Sequence, residues 1–141
     1  MLIAVGTHLN ATGVGEIFAA PFDVVLSSHD VVDPDLLVIL KSQFDILTNT
    51  HVRGAPAIVV EILSPGTRRR DEGIKRALYE RVGVQEYWLV DLRSRSIEIW
   101  APGESTGTIV TDSLTWRPAS LDREIILELP EIFSETPPEA F

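Results

Sequence analysis

Residues 57–92 constrain the fold more than any other part of the chain. AIVVEILS, residues 57–64, is short, apolar and rich in β-branched residues, and it reads as a buried strand. Pro65-Gly66 ends that strand, and Thr67 caps a helix of about 15 residues that closes at Gly83. Ile74, Leu78, Arg81 and Val82 mark its expected inner side. VQEYWLVDL, residues 84–92, is the next strand, and RSRSIEIWAPG alternates as a third, linked to it by a hairpin. A strand–helix–strand crossover implies at least one parallel pair, and the hairpin adds an antiparallel neighbour. The expected fold class is therefore α/β: a mixed β-sheet with helix 67–83 lying across one face.

The rest of the chain fits around that unit. MLIAVGTHLNAT reads as a short helix with Leu2, Val5 and Leu9 on one face. Residues 16–26 are extended chain bent at Pro21, and SSHDVVDPD is turn chemistry. DLLVIL, residues 35–40, is a strand of the kind buried on both faces. A connector with one helical turn around Phe44–Leu47 leads back to Ala57. Two short strands are expected within 106–128, and the Pro-rich tail is anchored by Ile132 and Phe133. The 141 residues suit one domain, 1–141, with no linker long enough to divide it.

One residue contradicts the apolar character of the first strand: Glu61. An ionised carboxylate there is costly unless a positive group meets it. Asp35, after Pro34, opens the other apolar strand. If the two strands are neighbours, the carboxylates converge, and two carboxylates that close either raise each other's pKa or hold a cation. The chain has no cysteine, so disulfides, thiolate metal sites and cysteine nucleophiles are excluded, and a metal must use oxygen or imidazole. His8, His29 and His51 show no metal-ligand spacing. An all-oxygen site suits Mg²⁺ or Mn²⁺. Asp71, Lys75 and Tyr79 recur at i, i+4, i+8 on the helix, whose first turns lie near the strand end that carries Glu61. Lys75 is then placed to orient a water or to neutralise charge building on a phosphate.

The formal net charge of −9 argues against a general nucleic-acid binder. Its distribution is uneven. Residues 1–52 carry −5 and residues 82–141 carry −7, whereas residues 53–81 carry +3. The basic segment is the one that contains Arg68, Arg69, Arg70 and Lys75. No apolar stretch is long enough for a membrane span. The absence of cysteine fits a cytoplasmic protein.

The strings PDLLVIL and APAIVVEILSPGTRRRDEGIKRALYERVGVQEYWLVD closely resemble the Uma-type putative restriction endonuclease family, a branch of the PD-(D/E)XK nuclease superfamily. The resemblance runs from about Gly15 to Phe141, and its most specific part is Pro56 to Asp91. It implies a restriction-endonuclease-like core flanked by helices and Mg²⁺-dependent hydrolysis of nucleic acid, DNA above all. It implies that Asp35 and Glu61 bind the metal, with the backbone carbonyl of Ile62 as a further ligand. The superfamily lysine two residues after the glutamate is replaced here by Leu63, and Lys75 on the helix is the matching residue. Arg68, Arg69, Arg70 and Tyr79 are expected to contact the nucleic acid. Relatives carry more N-terminal structure, so the chain is expected to be short at that end and to form a homo-oligomer over the aliphatic surface left uncovered.

Alternatives remain open at this stage. Asp35 also suits a turn cap, Glu61 a salt bridge to Lys75 or Arg69, and Lys75 a pairing with Asp71. Tyr79 also suits a half-buried helix position with its hydroxyl at the rim, and the arginines a solvent-facing surface. Two other functions share these residues: an inactive nuclease-fold relative used for binding or assembly, and a hydrolase of small phosphoesters.

Overall fold

Short apolar runs separated by Pro, Gly, Ser and Asp give many short strands and few helices. The computed structural model describes residues 6, 9, 13–63, 71–117 and 124–134. Among them the strands are β1 (Gly15–Ala19), β2 (Val24–Val25), β3 (Val31–Val32), β4 (Leu36–Leu40), β5 (Val52–Arg53) and β6 (Ile58–Ile62). β7 (Glu86–Asp91), β8 (Ser96–Trp100), β9 (Thr108–Val110), β10 (Ser113–Trp116) and β11 (Ile125–Glu128) follow. A 3-10 helix spans Lys41–Ile46. A π-wound turn, Asp71–Lys75, runs into helix α1 (Arg76–Val82), and α2 is Leu129–Phe133.

The main sheet has six strands in the order β1-β4-β6-β7-β8-β9. β6 and β7 are parallel, as a crossover through α1 requires, and the other adjacent pairs are antiparallel. β4 is buried along its whole length, and so is β6 up to Glu61. Both sheet faces are therefore covered. One face packs Val38, Val60, Trp88 and Val90 against Leu114, Trp116, Leu127 and the α2 residues Ile132 and Phe133. The other packs Val59, Tyr87 and Leu89 against Tyr79 of α1. Beside it, Leu37 and Ile39 meet Val24 and Val52 of a small sheet ordered β3-β2-β5.

Two glycines are fixed by geometry. A Cβ on Gly15 would lie 2.3 Å from the Ile39 carbonyl oxygen, so only glycine lets β1 run this close to β4. Gly83 has φ of 96° and closes α1, with the Val84 N–H returning to the Tyr79 carbonyl at 3.0 Å.

Several expectations are corrected. Ile74, expected on the inner side of its helix, is 70% exposed, and Arg81 is also exposed; Tyr79 is the residue turned inward. The cause is the winding. Asp71–Lys75 is a π turn, so the 3.6-residue period that placed Ile74 inside does not apply there. The connector helix begins at Lys41 rather than Phe44, held by Gln43, which accepts from the Leu40 N–H and donates to the Ala55 carbonyl. Among the described residues of 106–128 there are three strands rather than two. The third, β10, pairs with β11 away from the main sheet. The expected helix start at Thr67 lies outside the described residues. So does most of the expected N-terminal helix; Gly6 and Leu9 are described, and both are helical.

Candidate active site

Asp35 immediately precedes β4, and Leu36 pairs with Val60. One further step of that antiparallel register sets Asp35 opposite Glu61. Leu36 and Val60 face the Trp88 side of the sheet, so strand alternation turns Asp35 and Glu61 to the α1 side. The Ile62 N–H donates to Asp35 Oδ2 at 2.7 Å. β4 has ended here, and the carboxylate takes the place a ladder carbonyl would hold. The Asp35 carbonyl in turn accepts from the Ala20 N–H at 3.0 Å.

Glu61 is only 4% exposed, and among the described residues it is the buried charge of the core. Lys75 Nζ lies 3.3 Å from its Oε1, and the Tyr79 hydroxyl donates to the same oxygen at 3.2 Å. The i, i+4 spacing of Lys75 and Tyr79 brings both donors to one carboxylate. The Lys75 side chain is 33% exposed, so its ammonium meets Glu61 and still reaches solvent. The structure thus brings Asp35, Glu61, Ile62 and Lys75 into one cluster at the C-terminal end of β6. The salt bridge weighed from sequence is present, and its partner is Lys75.

Tyr79, expected to contact nucleic acid, is instead 1% exposed, its ring tilted against Tyr87 at 5.0 Å between centroids. Its hydroxyl faces Glu61 in the interior, not the rim. Arg68, Arg69 and Arg70 lie outside the described residues. Asp91 accepts from the Arg93 and Ser94 N–H groups at 3.0 and 3.2 Å, as a turn residue does.

Among the described residues no group of three or more His, Cys, Asp or Glu is arranged to hold a metal. Two carboxylates beside a backbone carbonyl are nevertheless hard oxygen donors. Mg²⁺ is ordinarily held by one or two carboxylates and keeps several waters. The donor chemistry of Asp35, Glu61 and Ile62 is therefore suited to such an ion. Two residues before Asp35, the exposed Asp33 carboxyl is pushed above its usual range, first by the hydrogen bond it shares with Asp23.

Glu86 opens β7, directly after α1, and is not part of this cluster. It pairs with Ile58, at the opposite end of β6 from Glu61, and shares the Trp88 face. Burial pushes its carboxyl up, the Trp88 Nε1–H bond at 2.7 Å pulls it down, and Glu104 raises it further. A raised folded-state value means the folded chain holds this proton more tightly than the unfolded one. Stability then falls as pH rises through the interval between the two values, and the loss persists above it. Glu86→Gln keeps an oxygen for Trp88 and removes the ionisation. Its melting temperature is expected to exceed that of the wild type at about pH 7 and to match it in acid, below both values. Calorimetry across that range checks this.

The family model Uma2, described as a putative restriction endonuclease, matches residues 1–133. Among solved structures, a putative nuclease belonging to DUF820 from Anabaena variabilis shares the fold. Its TM-score is 0.70 at 16% identity, covering 94% of this chain and 75% of that one. No curated protein matches significantly. Among the described residues no helix is long and apolar enough to cross a membrane.

Proposed function

The chain belongs to the Uma2 family, described as putative restriction endonucleases, and from that premise we propose that it is a metal-dependent nuclease acting on DNA phosphodiesters. The observation that carries this reading is the Lys75 ammonium 3.3 Å from a buried Glu61, with Asp35 anchored one residue away on the Ile62 N–H. Asp35, Glu61 and the Ile62 carbonyl would hold Mg²⁺ or Mn²⁺. Bound there, the ion would supply an acidified water and a polarised phosphoryl oxygen.

The chain's own residues do the rest. The start of β4 and the end of β6 set the backbones of the two carboxylates side by side. Lys75 brings a positive charge that is fixed in place by Glu61 and accessible from solvent. A group of that kind stabilises negative charge developing on a phosphoryl oxygen, or orients the attacking water. Glu61 and Lys75 lie within the basic stretch 53–81, in a chain that is otherwise acidic. Phosphate is thereby steered toward the cluster and repelled elsewhere.

The test is cleavage of a linear duplex and of a single strand with Mg²⁺, with Mn²⁺ and with chelator. Cleavage with either ion that stops with chelator is the expected result; none on either substrate overturns the reading. A second reading is favoured by one observation: Lys75 already balances the Glu61 charge, which is what a structural ion pair does. On that reading the protein is an inactive relative serving as a binding or assembly module, with a homo-oligomer as one form of it, and metal leaves it unchanged.

A further inference from the structure

We propose that Tyr79 is a positioning residue that sets the orientation in which Glu61 is presented at the site; its consequence for metal binding rests on the nuclease reading above. A buried tyrosine differs from phenylalanine only by a hydroxyl, which must find a partner. Here the hydroxyl donates to Glu61 Oε1 at 3.2 Å, the oxygen that Lys75 also meets at 3.3 Å. Two donors from successive turns of one helix therefore hold one named oxygen of a carboxylate that projects from a strand.

The two donors differ in what they can hold. The Lys75 side chain has four rotatable bonds and one-third exposure, so its ammonium follows a carboxylate that turns. The Tyr79 ring has two torsions and is 1% exposed, wedged among Val59, Val84, Leu89 and the Tyr87 ring. Its hydroxyl occupies one place. Of the two contacts, the phenol is the one that can impose a single Glu61 rotamer on the metal-free protein. A ligand held in advance loses less freedom on binding a cation, and removal of such outer partners ordinarily costs metal affinity.

Tyr79→Phe tests this, with Tyr87→Phe as the control for ring packing. In metal-free protein, side-chain scalar couplings are expected to give one Glu61 rotamer in the wild type and in Tyr87→Phe, and averaged rotamers in Tyr79→Phe. Mn²⁺ affinity measured by calorimetry is expected to fall about tenfold or more in Tyr79→Phe alone. kcat is expected to fall with it, with KM for DNA unchanged. A single Glu61 rotamer retained in Tyr79→Phe overturns the proposal, and so does an equal effect of Tyr87→Phe. A wild type that neither binds Mn²⁺ nor cleaves DNA removes the nuclease reading, and the rotamer measurement still decides the role of Tyr79.

Discussion

Glu61→Gln is expected to lower metal-dependent cleavage by roughly three orders of magnitude, about 4 kcal/mol of transition-state stabilisation, while leaving the fold intact. The substitution is nearly isosteric. Its amide oxygen can still accept from the Tyr79 hydroxyl, so that buried donor keeps a partner. What disappears is the negative charge that a hard cation and Lys75 both require. Lys75 is one-third exposed and turns to water, so the loss of its partner is not the loss of a fully buried pair. Removing the buried carboxylate also removes its desolvation cost, and the two effects oppose each other. Stability is thus expected to stay within about 2 kcal/mol of the wild type. Mn²⁺ titration of Glu61→Gln should show no specific binding. The opposite pattern, a wild-type rate and a shifted melting temperature, belongs to a structural ion pair and would leave only the module reading.

That experiment turns on a residue legible in the sequence for a simple reason. A single carboxylate among six apolar residues of the run 57–63 needs a partner, and the helix that follows offers Lys75 and Tyr79 one turn apart. The crossover also reads directly, because a strand, a helix and a strand in close succession have one common arrangement, and β6 and β7 are parallel. The parts that did not read have equally physical causes. β2, β3 and β5 are two residues each, too short to show a period of two. β10 alternates exposed and buried over four residues, just enough to form and not enough to be seen. Ile74 was placed by an α-helical period that the π turn breaks. Glu86 follows the same helix at the start of β7, so by position in sequence alone it stands close to the site. In a parallel pair, however, strand starts lie together, and Glu61 sits near the other end. The interior position of Tyr79 had a signal, its i+4 distance from Lys75. Only the packing against Tyr87 says which side of the helix is covered.

Trp88→Ala is expected to be strongly destabilising, at about 3–5 kcal/mol, for a ring that is fully buried between Val60 on β6 and Ile99 on β8. For a chain of this length that is a fall in melting temperature on the order of 10–20 °C. The cost has two parts that can be separated. The larger is the void left beside the cluster of Trp116, Leu114 and Ile97. The smaller is the Nε1–H that Glu86 loses; that contact is the one holding its carboxyl down against burial. Trp88→Ala should therefore lose more stability at neutral pH than in acid, where Glu86 is protonated in both folded and unfolded chains. In a Glu86→Gln background this pH dependence should vanish while the packing loss remains, and the two substitutions should be non-additive at neutral pH. Trp88 and Glu61 lie on opposite faces of the same sheet. Well below its melting temperature, Trp88→Ala should accordingly bind Mn²⁺ with the wild-type affinity. A loss of binding there would mean that the core behind the sheet, and not only the α1 side, sets the spacing of Asp35 and Glu61.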